Sequence, residues 1–265
     1  MSSLKLNKSP LRYPGGKTRA CDVLNKILEE NFAIKDFDTV VSPFFGGGSF
    51  EFYLQNKYSL SIVANDKFQP LCNFWNTCKH NKQELCDKLD KNVGEISKKD
   101  FLEYRQQIVN EKNKIQQAYM YFVINRCSFN GATLSGGFSL EASKKRFTKS
   151  SVDRVNQLDL NNVSISDNDF EEFIESVFKK NTLLFLDPPY YLEKKSKLYG
   201  NNGDMHENFD HQKLFNCVSG KKNWMMTYNN CDYIKKLYKD FKIIETSWSY
   251  GMNKSKQSSE IVIIS

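Results

Sequence analysis

Residues 183–191 read Leu-Leu-Phe-Leu-Asp187-Pro188-Pro189-Tyr190-Tyr191, and this stretch indicates how the rest of the chain is arranged. Its four apolar residues predict a short buried strand. Two prolines follow, and they cannot continue a sheet and stiffen the turn after it. The stretch therefore presents a carboxylate, a rigid bend and an aromatic ring at the carboxyl end of a strand, where open α/β sheets bind their ligands.

Such a turn suits methylation of an exocyclic amine on a flat base. An aromatic amine is a poor nucleophile because its lone pair is delocalised into the ring. Asp187 and the backbone carbonyl of Pro188 can each accept one hydrogen bond from the amine, which favours a tetrahedral nitrogen whose lone pair points at a methyl donor. Tyr190 is placed to stack on the base, which must first leave the duplex. The alternative interpretation is a surface turn that has this sequence by chance.

Length and composition allow one large domain, or a core with an inserted module, in the 265 residues. A hydrophobic content of 40% supports a real core, and no apolar run reaches membrane-spanning length. The first residues lack an apolar signal region. We therefore expect a protein that is not secreted and has no membrane partner: cytoplasmic, nucleoid-associated, or virus-encoded and intracellular.

Cysteine spacing and charge restrict the partners further. The seven cysteines are scattered without a Cys-x-x-Cys pair, and the three histidines form no ligand pattern with them. Free buried thiols and no metal are therefore expected. The net charge of +7 permits a polyanionic partner without requiring one, since a lysine-rich solvated surface has the same composition.

The first part of the chain predicts a nucleotide-like binding site. Residues 37–45 read as a strand, Gly46-Gly47-Gly48-Ser49 as a turn, and the residues after it as a helix. This order brings the backbone close to a cofactor, and the lack of a Gly-x-Gly-x-x-Gly or phosphate-loop pattern disfavours a pyrophosphate. Asp66 follows a second strand, Leu60–Ala64, where it suits a ribose diol or caps the next helix. The glycines and lysine of residues 10–17 suit an anion at a helix start or an ordinary loop.

The middle of the chain differs in character. Residues 80–127 look helical, with a capping box at Ser97 and Asp100. The periodicity stops at the Gly/Ser/Asn-rich residues 125–138, and a basic stretch follows. This pattern indicates either an exposed loop suited to a phosphate backbone or a flexible solvated loop. The cations are Lys144, Lys145, Arg146 and Lys149.

The α/β alternation then resumes to the end of the chain. Residues 191–208 form a long polar loop, of a kind that often closes over a site. The predicted helices are 171–180, near 209–219 and near 231–239, and the predicted strands are Val163–Ile165, 183–186, Asn223–Thr227, Phe241–Thr246 and Glu260–Ile264.

With these motifs placed, nearly the whole chain resembles the Dam-type DNA adenine-N6 methyltransferases. Residues 11–17, Leu-Arg-Tyr-Pro-Gly-Gly-Lys, resemble the family's N-terminal cofactor motif, and residues 43–49 are similar to its Pro-Phe-x-Gly-x-Gly-Ser motif. Residues 125–131 resemble the start of its DNA-recognition segment, and Asp-Pro-Pro-Tyr is its catalytic tetrapeptide. The order of the motifs is also that of this subgroup.

The resemblance implies an α/β fold: a Rossmann-like, seven-stranded, mostly parallel sheet with an antiparallel final hairpin. Residues 1–79 and 160–265 would form the catalytic domain, and residues 80–159 an inserted helical DNA-recognition module. The implied cofactor is S-adenosylmethionine, with S-adenosylhomocysteine as product, and the implied partner is double-stranded DNA.

The resemblance also implies site residues. The methionine end of the cofactor would contact Tyr13, Lys17, Phe45, Gly46 and Gly48, the ribose Asp66, and the adenine ring the turn of Asp167 and Asp169. Asp187 would also bind the cofactor. Asp187, Pro188, Pro189 and Tyr190 would be catalytic. DNA would contact Arg12, Arg126, Asn130, Thr133, Ser135, Lys144, Lys145 and Arg146, with Arg12 in a slot where family members carry a base-contacting lysine.

The recognition segment departs from the pattern of GATC-methylating members. These usually carry an arginine a few residues after Asn130-Gly131 and then Gly-x-Phe-Asn-x-Pro-x-Gly. Here residues 132–141 read Ala-Thr-Leu-Ser-Gly-Gly-Phe-Ser-Leu-Glu, which is two residues shorter and lacks that arginine and proline. GATC and another short adenine-containing site such as CATG are therefore both open.

Two other classes of protein remain to be weighed. A protein glutamine or RNA methyltransferase has the same fold, but the glutamine enzymes use Asn-Pro-Pro-Tyr and lack the inserted segment. A catalytically idle nucleic-acid-binding module would not need Asp187, Tyr190 and the glycine turn intact. The presence of a companion restriction endonuclease and the oligomeric state are left open by the sequence.

Overall fold

A computed structural model describes residues 6–191, 209–248 and 259–265. The predicted polar loop at 191–208 lies outside the described residues, apart from Tyr191. Seven strands form one sheet in the order β3-β2-β1-β4-β5-β7-β6. Their bounds are β1 (Thr39–Ser42), β2 (Ser61–Asn65), β3 (Val163–Ser166), β4 (Thr182–Leu186), β5 (Trp224–Asn229), β6 (Lys242–Thr246) and β7 (Glu260–Ile264).

Helices cover both faces of this sheet. They are α1 (Cys21–Asn31), α2 (Ser49–Tyr58), α3 (Gln69–His80), α4 (Lys82–Asp90), α5 (Lys98–Gln107), α6 (Lys114–Cys127), α7 (Leu140–Lys145), α8 (Lys149–Gln157), α9 (Phe170–Val177), α10 (His211–Val218) and α11 (Asp232–Leu237). Short 3₁₀ turns occupy Lys17–Arg19, Ile34–Asp36 and Phe129–Gly131.

The strand directions confirm the predicted sheet. Strands β1 to β5 pair in parallel, with Val40 beside both Ile62 of β2 and Leu183 of β4. Strand β7 runs antiparallel between β5 and β6, so the last two strands form the expected hairpin. Because β1 lies between β2 and β4, the three turns that follow these strands are neighbours at one edge of the sheet.

The core has two layers, because successive residues of a strand point to opposite faces. Leu183 and Phe185 of β4 join the core under α1, α2, α3 and α6, whereas Leu184 and Leu186 join the core under α9, α10 and α11. A strand buried on both faces is expected to be apolar throughout, as residues 183–186 are.

The inserted segment shares the first of these cores. All eleven residues from Gln117 to Cys127 of α6 are buried, and the ring of Phe122 stacks on Phe74 of α3 with the ring centroids 5.7 Å apart. The predicted capping box is present, since Ser97 accepts from the Asp100 amide and Asp100 accepts from the Ser97 amide. The division of the chain at 79/80 and 159/160 stays a prediction.

Several boundaries differ from the predictions by a few residues, and two larger differences have local reasons. Strand β1 ends at Ser42 instead of Phe45, because Pro43 lacks the amide that would continue the ladder. The helical region 80–127 is interrupted between α4 and α5 and again before α6. Within the described ranges, no helix is long and apolar enough to cross a membrane.

Candidate active site

One cavity of about 740 Å³ opens at the edge where the turns after β1, β2 and β4 meet. It brings together most of the residues that the sequence singled out, from six separate segments of the chain. Those that line it are Tyr13, Lys17, Phe45, Gly46, Gly48, Asp66, Thr133, Ser135, Asp169, Asp187, Pro188, Pro189 and Tyr190.

Asp187 is held in place from two sides. The Nζ of Lys17 lies 2.6 Å from each of its carboxylate oxygens, and the Thr227 hydroxyl donates to Oδ1 at 2.6 Å. Lys17 also donates to the Gly15 carbonyl at 3.0 Å, and its side chain is only 4% exposed. The ammonium stands 5.2 Å from the centroid of the Tyr190 ring. These contacts fix the orientation of the carboxylate before any substrate arrives.

The glycine turn between β1 and α2 has no space for side chains. Gly46 and Gly48 have φ of +49° and +65°, a backbone region that glycine adopts without strain. A Cβ atom on Gly48 would lie 2.4 Å from the Phe45 ring, and one on Gly46 would lie 2.7 Å from the Tyr13 ring. The backbone of this turn, with the start of α2 behind it, therefore forms the cavity wall directly.

Asp66 connects the end of β2 to the glycine turn. Its Oδ2 accepts from the Gly46 amide at 2.9 Å, and its Oδ1 accepts from the Phe68 amide at 3.0 Å. Burial raises the pKa of this carboxyl to about 6, although both amides favour the charged form. The side chain thus lies on the cavity wall with its orientation set by backbone groups, while its ribose contact stays a prediction.

The turn after β3 supplies Asp169 but not Asp167. Asp169 lines the cavity, caps α9 by accepting from the Glu171 amide, and forms ion pairs with Lys67 and Lys213 at 3.2 and 3.1 Å. Asp167 is exposed and is not among the cavity-lining residues. The structure therefore does not bring Asp167 together with the other predicted cofactor residues.

Aromatic rings form the cavity wall beside this turn. Phe44, Phe170 and Phe209 contact one another with centroid distances of 5.5 to 5.7 Å, and all three line the cavity. Phe68, directly before α3, and Tyr121 of α6 also line the cavity, and their ring centroids are 6.2 Å apart. Sequence reasoning missed these rings, because aromatic residues at such spacings are ordinary core residues.

Asn125 connects residues 10–17 to the loop at residues 128–139. This loop is called the recognition loop below. Its buried amide accepts from the Arg12 amide at 2.9 Å and donates to the Arg12 carbonyl at 2.8 Å. Gly131 has φ of +71°, and a Cβ atom there would lie 2.4 Å from the Arg12 carbonyl oxygen. The Arg12 guanidinium donates to the Ser128 carbonyl at 3.0 Å. These contacts fix the position of Arg12 relative to the loop.

Arg126 is the predicted DNA-contacting residue that the structure places inside the protein. Its Nε donates to the Arg146 carbonyl at 2.7 Å and its Nη1 to the Pro10 carbonyl at 3.2 Å. Burial, followed by the neighbouring charge of Arg12, lowers its pKa to about 10. The guanidinium thus holds backbone segments together, and a direct phosphate contact is not supported by this geometry.

The remaining predicted DNA residues are accessible. Asn130 is exposed with φ of +57°, Phe129 beside it is 62% exposed, and Thr133 and Ser135 reach the cavity from the same loop. The cations Lys144, Lys145, Arg146 and Lys149 are exposed on and next to α7. The recognition loop therefore reaches the cavity, and the exposed cations follow it in the chain.

Sequence reasoning also missed buried polar residues at the site, among them Glu51 and Thr227. Glu51 in the first turn of α2 is 3% exposed and lines the cavity. Its signal in the sequence is a carboxylate between two core phenylalanines, Phe50 and Phe52, directly after the glycine turn. Thr227 has no such signal, because a threonine at the end of a strand is common.

Neither a metal-ligand cluster nor a disulfide is found among the described residues. No group of three or more His, Cys, Asp or Glu side chains there is arranged to hold a metal ion. Six buried cysteines are free thiols, as the sequence predicts: Cys21, Cys72, Cys78, Cys86, Cys127 and Cys217.

Known proteins are similar to this chain in sequence over most of its length. The type II methyltransferase M.MjaIII of Methanocaldococcus jannaschii is 24% identical over an alignment of 258 positions, which covers 88% of each protein. The type II methyltransferase M.CviBI of Paramecium bursaria Chlorella virus NC1A is 22% identical over 87% of this chain and 86% of its own. The modification methylase StsI of Streptococcus sanguinis is 25% identical over 76% of this chain, which matches 31% of that larger protein.

A family model, that of the D12 class N6 adenine-specific DNA methyltransferases, matches residues 13–252. The match includes the glycine turn, the recognition loop and the Asp-Pro-Pro-Tyr turn, which are the parts that line the cavity. From the site and this match together, we conclude that the chain belongs to the D12 class of N6 adenine-specific DNA methyltransferases.

Proposed function

We propose that this adenine methyltransferase uses S-adenosylmethionine to methylate N6 of an adenine flipped out of duplex DNA, within a short site of the CATG or GATC type. One observation carries the proposal: Asp187, the glycine turn, Asp66 and the recognition loop all line the same cavity. A base entering from the recognition loop would therefore meet the carboxylate and the methyl donor in one enclosed space.

The residues of the cavity fit this cofactor. Asp66 suits the ribose diol, the rings of Phe44, Phe170 and Phe209 suit a flat purine, and the glycine turn presents its backbone to the cavity. At the other end, Lys17 and the start of α2 suit a carboxylate. When bound, S-adenosylmethionine supplies an electrophilic methyl group on a sulfonium.

The catalytic turn would act on the amine of the flipped adenine. Asp187 and the Pro188 carbonyl would each accept one hydrogen bond from the amino group, and Tyr190 would stack on the ring. Because Lys17 and Thr227 already fix the carboxylate, little reorganisation is required when the base enters. Direct attack by the nitrogen on the methyl group would leave S-adenosylhomocysteine and release one amino proton to solvent, and it would need no covalent enzyme intermediate.

The cysteines do not support the alternative of attack on a cytosine ring. Burial raises the pKa of Cys21 and of Cys127 to about 12, so both thiols stay protonated near neutral pH. A cysteine nucleophile for cytosine-C5 chemistry would instead need a lowered pKa.

The proposal is tested by incubating the protein with duplex DNA and labelled cofactor, digesting the DNA and identifying the methylated nucleoside by mass spectrometry. N6-methyladenine is expected, and methylcytosine alone would contradict the proposal. Sequencing methylated DNA from cells that express the chain would read out the target site and decide between CATG, GATC and other sites.

S-adenosylhomocysteine is expected to bind and to raise the melting temperature by mass action. Asp66→Asn should weaken this binding by about 1–3 kcal/mol, because one of the charge-assisted hydrogen bonds is lost. Asp167→Asn should leave the affinity unchanged, because Asp167 is exposed outside the cavity lining. Calorimetric titration measures all three proteins, and equal affinities for them would remove Asp66 from the ribose site.

DNA contacts are expected to divide into two kinds. Lys144→Ala should weaken binding to all sequences alike and flatten the salt dependence by about one unit of slope. Lys149→Ala is the matched comparison and should weaken binding less, because Lys149 pairs with Asp90 and Asp153.

Arg12→Ala should instead change sequence preference by roughly 1–3 kcal/mol at one base pair. Fluorescence binding titrations over a range of salt and site sequences distinguish these outcomes, and a uniform loss for Arg12→Ala would contradict the assignment.

A further inference from the structure

Glu51 is a buried carboxyl group in the cavity that the proposed reaction leaves without a role. It projects from the first turn of α2, is 3% exposed and lines the cavity wall. The Ser42 hydroxyl of β1 donates to its Oε1 at 2.6 Å. Among the described residues, no ammonium or guanidinium group forms an ion pair with it. A carboxyl group is rarely buried in this way without a charged partner.

The charged groups around Glu51 do not supply a cation to balance its carboxylate. Lys17 is the ammonium group that acts electrostatically on Glu51, and it pairs with both oxygens of Asp187, so these two charges largely cancel each other. The groups that face Glu51 from the neighbouring elements are Lys17, Cys21 of α1, Ser42 and Asp187. Together with Glu51 itself, this set contains one cation and two carboxyl groups, so an arriving positive charge would balance the second carboxylate.

The position of Glu51 indicates which part of the cofactor would supply that charge. Asp66, at the end of β2, marks the ribose, and Asp187, at the end of β4, marks the place of methyl transfer. Glu51 lies on the Asp187 side, since it is coupled electrostatically to Asp187 and Lys17. The methionyl part of the cofactor, which carries the α-ammonium group, must therefore extend toward it.

We propose that Glu51 is the receptor for the α-ammonium group of the cofactor's methionyl end, and that it releases a proton to solvent when the cofactor enters. The proposal rests on S-adenosylmethionine being the cofactor. In the empty cavity the carboxyl is protonated over part of the neutral range. The entering ammonium favours the carboxylate, so the O–H proton passes to the buffer and an ion pair takes its place.

The electrostatics of the empty site agree with this exchange. Burial raises the pKa of Glu51 to about 7, and the charge of Asp187 adds to the shift, while the Ser42 hydrogen bond opposes it. Burial also raises the pKa of Cys21 to about 12, so its thiol does not titrate in the same range. Asp66 does titrate nearby, at about 6, but it lies at the nucleoside end of the cavity.

Two ligands isolate the methionyl end. S-adenosylhomocysteine carries the ammonium group, whereas 5′-methylthioadenosine has the same nucleoside without the amino-acid part. Titration calorimetry is carried out with both at about pH 6 and about pH 8, in buffers of different ionisation enthalpy. Between about pH 6 and about pH 8, the affinity of the wild-type protein for S-adenosylhomocysteine should rise about 10-fold more than its affinity for methylthioadenosine. Binding of S-adenosylhomocysteine should also release a proton to the buffer. Any contribution of Asp66 appears with both ligands and cancels in the comparison.

The variants identify the titrating group. Glu51→Gln keeps the Ser42 hydrogen bond, and it should remove the additional pH dependence and weaken S-adenosylhomocysteine binding roughly 10–100-fold at the higher pH. Methylthioadenosine affinity should be unchanged, which also shows that the variant is folded. Ser42→Ala should shift the midpoint of the pH dependence upward, because a hydrogen bond that favours the carboxylate is lost. Glu84→Gln, on the exposed surface of α4, is the control.

The outcomes separate the two proposals. If Glu51→Gln binds S-adenosylhomocysteine with the affinity and pH dependence of the wild-type protein, Glu51 is not the ammonium receptor, and the proposed function stands. If the wild-type protein binds neither ligand, the proposed cofactor is wrong and the role of Glu51 is overturned with it.

Discussion

Asp187→Asn is expected to lower the rate of methyl transfer on the order of 10²–10³-fold or more, the range for losing a preorganised polar contact to the reacting group. The asparagine amide keeps the shape of the side chain but presents a hydrogen-bond donor in place of one acceptor. It therefore no longer favours the tetrahedral amine. Single-turnover measurements with saturating duplex DNA report this step directly.

The same substitution also affects Lys17. The ammonium of Lys17 is buried, and Asp187 is its ion-pair partner, so Asp187→Asn leaves a buried charge without that partner. A lower melting temperature is therefore expected together with the loss of activity. Thr227→Val is the matched control, because it removes one donor to Asp187 but leaves the carboxylate and Lys17 in place. It should retain most of the activity. Full activity in Asp187→Asn would refute the catalytic assignment.

Glu51→Gln is expected to stabilise the ligand-free protein by about 3 kcal/mol at pH 8, with no gain near pH 4.5, as an order of magnitude. The pKa of Glu51 is raised from an ordinary 4.5 to about 7 by burial, so the folded protein binds more protons than the unfolded chain between these values. The stability that Glu51 contributes is complete below about pH 4.5 and is lost as the pH rises through about 7. Glutamine carries no charge at any pH, and the loss is absent from the variant.

Urea unfolding without ligand, repeated across this pH range, measures the difference. Asp66→Asn is the comparison, because burial raises the pKa of Asp66 from 3.8 to about 6 and its contribution is lost over a lower pH range. Parallel pH profiles for Glu51→Gln and the wild-type protein would show that Glu51 ionises in the folded state as it does in water. If Glu51→Gln is more stable than the wild-type protein but binds the cofactor less well, Glu51 lowers the stability of the fold while it contributes to binding.

Much of the fold could be predicted from the sequence because its signals are local. The apolar run before Asp187, the prolines after it and the glycines after β1 each restrict the backbone of a few consecutive residues. The capping box of Ser97 and Asp100 is equally local, since its hydrogen bonds span three residues. The motif order indicated the mostly parallel sheet and the final hairpin by resemblance to a family, and the strand pairings confirm both.

The side-chain partners could not be predicted in this way, because they depend on which strands are neighbours. Lys17 and Asp187 are 170 residues apart in sequence, and they meet only because β1 lies beside β4. Tertiary packing also decided which charged residues are buried. It places Arg126 against the backbone carbonyls of Pro10 and Arg146, and it leaves Asp167 in solvent.

Glu51 shows most clearly what the sequence alone could not predict. From the sequence it is a polar residue in the first turn of a helix, where a carboxylate is favoured at the surface by the helix dipole. Only the packing of α2 against β1 removes it from water and points it into the cavity beside Asp187. The sequence by itself determined the backbone turns and the carboxylate that the chemistry needs, because those depend on neighbouring residues. The tertiary structure decided burial, ion pairing and protonation, because each of these depends on groups that are distant in the chain.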